Sequence, residues 1–175
     1  MTMKKILYIA ILFCALYPSL QAQVYIGGSL NAWTETINKV DHTSVNFYPE
    51  IGYGFKNHWH IGVVMGFGQT MVDNDVKSSN LKFNPYVGYT FYENQIAALF
   101  VEGGFSYLYT KPAYGDEYYG LEVGFNPGIK VKLSNRLSMR AHYAFIGFRD
   151  NGNDISEFGI KMNLEALKFG FHYSF

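Results

Sequence analysis

Cysteine is almost missing from this chain. The one thiol among 175 residues is Cys14, inside an apolar N-terminal run, so the rest of the chain carries no disulfide and no thiol chemistry. Charge is also sparse. Asp, Glu, Lys and Arg make up 16% of residues, against the usual quarter or so. The 14 cationic and 14 acidic side chains cancel to a formal net charge of zero, which excludes a general electrostatic pull towards nucleic acid or an acidic surface. No stretch reaches the roughly 20 apolar residues that a spanning helix needs. What the chain has instead is aromatic and small: 15 Tyr, 15 Phe and 18 Gly. The mean hydropathy is nevertheless close to zero, −0.04. Apolar residues diluted evenly by polar ones are the product of period-2 alternation.

The N-terminus reads as a secretory signal. Lys4 and Lys5 form a basic n-region, Ile6 to Leu16 an apolar h-region, and Pro18-Ser19-Leu20-Gln21-Ala22 a cleavage region. Cleavage after Ala22 divides the chain into a signal peptide, 1–22, and one domain, 23–175. Lipidation of Cys14 is rejected, because Phe13 precedes it and the apolar run continues past it.

Eight strand-like segments follow, with no convincing helix. They are about Val24–Trp33, Val45–Lys56, His58–Gln69, Leu81–Tyr92, Ile96–Tyr109, Tyr118–Leu133, Leu137–Phe148 and Glu157–Phe175. Each places its apolar residues on one face; the seventh has Leu137, Met139, Ala141, Tyr143 and Phe145. The eighth slips between Leu164 and Leu167, where a β-bulge restores the phase. It ends on Phe169, Phe171, Tyr173 and Phe175, with Lys168, Gly170, His172 and Ser174 opposite. A greasy terminal strand invites aggregation in water but suits the wall of a barrel in lipid. Connections alternate. Tight turns surround Asn57, Asn94 and Asn135, whereas Thr34–Ser44, Thr70–Asn80, Thr110–Glu117 and Arg149–Ser156 read as longer polar loops. Short turns at one end and longer loops at the other are the asymmetry of outer-membrane barrels. With the N-terminus in the periplasm, the turns fall there and the loops outside.

None of the residues on the assigned apolar faces is Asp, Glu, Lys, Arg or His. Arg or Lys on the lipid face costs about 2–4 kcal/mol near the midplane. The charges lie on the opposite faces. An eight-stranded barrel has an interior just wide enough for side chains to fill, and charges buried there must be paired. An ion-pair network is therefore expected in the lumen from Glu50, Glu102, Glu122, Lys82, Lys130, Arg140 and His142. Inward glycines, among them Gly52, Gly88, Gly104, Gly124 and Gly128, leave room for it.

A hairpin repeat supports the fold. Pro49-Glu50-Ile51-Gly52-Tyr53-Gly54-Phe55 matches Pro85-Tyr86-Val87-Gly88-Tyr89-Thr90-Phe91, with a looser copy at Pro127–Leu133. These copies, with the Phe169-Gly170-Phe171-His172-Tyr173-Ser174-Phe175 ending, resemble the outer membrane protein beta-barrel domain or porin family. That family is OmpA/OmpX-like in architecture and of the Bacteroidota type. The resemblance implies an all-β, eight-stranded antiparallel up-and-down transmembrane barrel in the outer membrane of a Gram-negative cell. Its implied partners are outer-membrane lipid and lipopolysaccharide. It further implies that Phe171, Tyr173 and Phe175 are read by the barrel-assembly machinery.

Other constellations are weaker. His58 and His60 share a face but have no visible third metal ligand. His172-x-Ser174 resembles the His-x-Ser pair of a lipid A deacylase, but has no assignable acidic partner. Asp73-Asn74-Asp75 and the Asp150 to Asp154 segment are oxygen-rich, yet too short for a known calcium loop. The expectation is a non-enzymatic membrane anchor with no cofactor, no metal and no nucleic-acid partner, whose outer loops serve adhesion, envelope structure or binding of a surface ligand. The alternatives are a narrow solute channel and a lipid A-modifying enzyme.

Overall fold

The computed structural model describes residues 23–37, 40–55, 58–72, 75–152, 156–162 and 168–175. Six long strands come first: β1 (Gln23–Ile37), β2 (Val40–Gly54), β3 (Trp59–Val72), β4 (Asp75–Glu93), β5 (Ala97–Pro112) and β6 (Tyr118–Lys132). Four shorter ones follow: β7 (Leu137–His142), β8 (Phe145–Asp150), β9 (Ser156–Lys161) and β10 (Lys168–Ser174). Successive strands pair antiparallel from β1 through β6. β7 and β8 both pair with β6, β8 with β9, β7 with β10, and β10 with β1. β7 with β8, and β9 with β10, are thus two halves of single walls. The result is a closed eight-stranded antiparallel barrel.

The barrel is inside out by the standards of a water-soluble protein. Ile51 is 58% exposed and Phe171 56%, whereas Glu102 is 6% exposed and Arg140 5%. The apolar rings form the outer wall and the charges fill the centre. An outer surface of this extent and composition has hydrocarbon as its natural solvent. Tyr53, Trp59, Tyr89 and Tyr173 gather towards the end that carries the tight turns and both described termini, where Trp59 and Tyr89 rings lie 4.9 Å apart.

Side chains close the tight turns. Asn94 Oδ1 accepts from the backbone N–H of Ile96 (2.8 Å) and Ala97 (2.7 Å), the Asx-type bond that substitutes for a backbone turn. Ser134 Oγ does the same for Arg136 (3.3 Å) and Leu137 (3.1 Å). At the remaining turn Asn57 lies outside the described residues, and His58 takes the left-handed conformation at φ 69°. Its carbonyl accepts from Thr90 N at 2.9 Å.

Two sequence expectations need correction. Thr34–Ser44 and Thr70–Asn80 are mostly ladder, not long loops. β1 pairs with β2 as far as Ile37 opposite Val40, and β3 with β4 as far as Val72 opposite Asp75. Hydrophobic alternation ends where the lipid would end, but backbone hydrogen bonding does not, and Thr, Ser and Asp continue the ladder into water. The second correction concerns phase. Gly128 stands opposite His142, but Phe125 opposite Ile146, so one extra residue enters at Tyr143–Ala144. This bulge reverses the faces beyond it. Phe145 and Arg149 turn into the lumen, and Ile146 and Phe148 turn out. The slip expected between Leu164 and Leu167 lies outside the described residues.

Candidate functional site: a charged partition across the lumen

Arg140, carried inward by β7, is the centre of the lumen. Its Nη1 lies 3.3 Å from Glu50 Oε1 of β2, and its Nη2 donates to Glu102 Oε1 of β5. Glu102 is held on both oxygens: His60 Nε2 lies 3.1 Å from Oε1, and His142 Nε2 2.7 Å from Oε2. Glu50 Oε2 lies 3.1 Å from His172 Nε2 of β10. Tyr86 Oη of β4 donates to Glu50 Oε1, and Tyr25 Oη of β1 lies 2.7 Å from Tyr86 Oη. A carboxylate only accepts, so His142 and His172 each carry their proton on Nε2.

Rings complete the layer. The Arg140 guanidinium sits 4.2 Å from the centre of the Phe100 ring, a cation–π contact strengthened by burial. The His142 ring meets Phe100 edge-on at 5.3 Å, and His172 stacks on Tyr25 at 5.3 Å. β6 contributes space. A Cβ on Gly128 would run into the Phe100 ring, and one on Gly52 into Tyr25. These are close approaches that only glycine permits.

This layer divides the lumen. A cavity on the loop side offers about 90 Å³ to water-sized molecules, and one on the turn side about 350 Å³. Arg140 and His172 line both, so these two side chains belong to the partition between them.

Two further clusters flank it. On the loop side Lys82 Nζ lies 2.5 Å from Glu122 Oε2, and Arg149 Nε 2.5 Å from Glu122 Oε1. At the turn rim Lys132 Nζ lies 2.7 Å and Lys130 Nζ 3.9 Å from Glu93 Oε1. The hydrogen bond from Lys132 holds the Glu93 carboxyl below its ordinary range. At the opposite end, in the β5–β6 loop, Glu117 is likewise lowered, by its hydrogen bonds with Tyr109 and Lys111.

Of the residues singled out in sequence, Glu50, Glu102, Arg140 and His142 meet in one layer. Lys82 and Glu122 form a second cluster above it, and Lys130 sits with Glu93 below. Sequence reasoning missed Tyr25, Tyr86 and Phe100, which alternation alone cannot rank among inward residues. It also missed Arg149, which was read as the first residue of an outer loop and instead lies on β8 beyond the bulge. His60 and His172, weighed as metal and catalytic candidates, serve as partners of Glu102 and Glu50. His172 therefore does have an acidic neighbour, but no hydrogen bond joins it to Ser174 among the described residues. His58 lies apart with its ring against Tyr89, 6.4 Å away, and no group of metal-binding side chains occurs among the described residues. Asp73, Asn74 and Asp154 lie outside them. Phe171, Tyr173 and Phe175 point outward from the last strand.

A family model described as the outer membrane protein beta-barrel domain matches residues 6–175. Among curated proteins, none matches the sequence. Among solved structures, the Neisserial surface protein A is similar in fold, with a TM-score of 0.50 and 13% identity over 88% of this chain and 96% of that one. The Yersinia pestis outer membrane protein Ail shares 15% identity over 90% of this chain and all of its own, with a TM-score of 0.44.

Proposed function

The chain belongs to the outer membrane protein beta-barrel domain family, and from that premise we propose that it is a non-enzymatic anchor of the outer membrane with a closed lumen. The observation that carries this reading is the partition. Two cavities approach it from opposite ends, and Arg140 and His172 stand between them, tied to carboxylates on other walls. Moving a solute past that layer means breaking buried ion pairs, at about 3–5 kcal/mol for each charge left without its partner.

Residues 1–22 act in export and are removed as a signal peptide. The outer wall is solvated by outer-membrane lipid and lipopolysaccharide. Phe171, Tyr173 and Phe175 present the terminal signal to the barrel-assembly machinery. The contacts that matter to the cell are made by the polar hairpin ends, chiefly β1–β2, β3–β4 and the β5–β6 loop with its exposed Tyr114; their use is adhesion, envelope structure or binding of a surface ligand. Planar-bilayer recording of the protein purified from outer membranes tests the closed lumen. No steady conductance is expected. Stable nanosiemens openings would replace the anchor by a narrow porin-like channel. A lipid A profile that changes with deletion of the gene would replace it by a membrane enzyme.

A further inference from the structure

Charge in the lumen is divided along the barrel axis. In the partition two carboxylates, Glu50 and Glu102, share one guanidinium, Arg140. In the loop-side cup the ratio is inverted: Lys82 from β4 and Arg149 from β8 share the one carboxylate of Glu122. An ammonium and a guanidinium together bring eight N–H donors, and a carboxylate offers about four lone-pair sites. The two cations therefore have more donors than Glu122 can accept from.

The cup is reachable. The Lys82 side chain is 16% exposed and that of Arg149 24%. The 90 Å³ of space beside them holds roughly half a dozen waters, at about 10–15 Å³ each. Asn84, Asn126 and Ser106 line the same space with neutral polar groups, and Glu50, Glu102 and Arg140 of the partition close its floor.

We infer that this cup is a binding site for a small tetrahedral oxyanion of phosphate type, held between Lys82 and Arg149 and entered from the loop end. Glu122 is its internal competitor. It keeps the two cations in place when the site is empty and yields donors when the anion enters. The cup is too small for a sugar or a peptide. The two carboxylates of the partition beneath it, Glu50 and Glu102, stop an anion from passing through, so the site is a dead end. It goes beyond the anchor reading and survives independently of what the hairpins bind.

Titration of inorganic phosphate into the protein purified from outer membranes in a maltoside detergent, read by phosphorus NMR line width, tests the site. Saturable one-site binding is expected. Lys82→Met and Arg149→Met each weaken it by about tenfold or more, the loss expected for one charge-assisted hydrogen bond. Glu122→Gln strengthens it by a similar factor, because the competitor loses its charge. That gain cannot come from misfolding, which protects the test if either methionine variant fails to fold; heat-modifiable gel mobility checks each variant. Absence of saturable binding in both the wild type and Glu122→Gln overturns the inference. So does binding that both methionine variants leave unchanged. Repeating the titration in phosphatidylcholine vesicles with and without phosphatidylglycerol identifies the source. Competition by the anionic lipid assigns the cup to a lipid phosphate, and its absence to the free ion.

Discussion

Replacing Arg140 by Leu removes the one cation that Glu50 and Glu102 share. Leu roughly fills the stem of the lost side chain but leaves two carboxylates facing one another in a layer walled by Phe100, Tyr25 and Tyr86. Breaking a buried ion pair by deleting one partner costs about 3–5 kcal/mol, and the cation–π contact on Phe100 adds about 1–2 kcal/mol when desolvated. Relief by His60, His142 and His172 offsets part of this, so a net loss of about 3–5 kcal/mol is expected. The assay is equilibrium unfolding in urea of barrels folded into phosphatidylcholine vesicles, followed by tryptophan fluorescence. Glu102→Gln alone is also destabilising, because it strands Arg140. In the double variant the two losses overlap, and a coupling of about 1–3 kcal/mol is expected. Arg140→Leu within about 0.5 kcal/mol of wild type, the range of an ordinary surface substitution, would refute the partition as a stabilising unit. Strict additivity of the two losses would do the same.

Gly128→Ala should sharply reduce folding yield, because its Cβ meets the Phe100 ring, and Phe100→Leu introduced with it should restore part of the yield; the folded band on unheated gels reads both. Ile51→Arg on the outer wall should cost about 2–4 kcal/mol if that wall is in lipid, whereas Tyr114→Arg at the exposed loop should be neutral; the same urea titration compares them. Glu93→Gln should produce a small loss that depends on pH. The Glu93 carboxyl is lowered in the folded protein, so its stabilisation is present above the unfolded carboxylate range and disappears as pH falls through the folded value. Because the Glu93 side chain is 33% exposed at the rim, solvent screens the pair and the loss should stay under about 1 kcal/mol, and wild type and variant should converge in melting temperature at acid pH. Removing the rings of Phe171, Tyr173 and Phe175 together should lower the amount of protein reaching the outer membrane in cell fractionation.

Period-2 alternation is informative only while its phase is kept. Across β2 to β6 it assigned Glu50, Glu102, Glu122, Lys82 and Lys130 to the face opposite the apolar residues, because those residues fix the phase at nearly every position. In the seventh wall it failed after Tyr143. Tyr143-Ala144-Phe145-Ile146 is apolar on both phases, so nothing in the composition marks where the extra residue enters. The structure places it by pairing, with Gly128 opposite His142 and Phe125 opposite Ile146. Arg149, the second cation on Glu122, was lost to sequence reading because it was assigned to the outer loop that starts there, whereas the strand runs on to Asp150, and because the phase was already wrong beyond Tyr143. The ladder ends were misjudged for a different reason. Alternation reports which face meets lipid, and β1 to β4 continue past lipid as polar strands, where neither face needs to be apolar.

That continuation bears on how the outer end works. A long loop contributes contacts only after its conformational entropy is lost, at about 1–2 kcal/mol per residue. The β1–β2 and β3–β4 hairpins have already met that cost in their ladders, which run to Ile37–Val40 and Val72–Asp75. Thr34 and Thr43 hydroxyls lie 3.1 Å apart across one ladder, and Ser44 and Thr70 3.2 Å across the next, so the projecting sheet is cross-braced by its own side chains. A surface ordered before it meets a partner binds with less entropic loss. The same stiffness limits it to partners whose shape it already fits. The polar strands above the bilayer are therefore read better as a preformed face than as tethers. Transplanting the β1–β2 hairpin tip should disturb any surface contact less than breaking the Ser44–Thr70 brace beneath it with Thr70→Val, and whole-cell binding of the two variants would separate them.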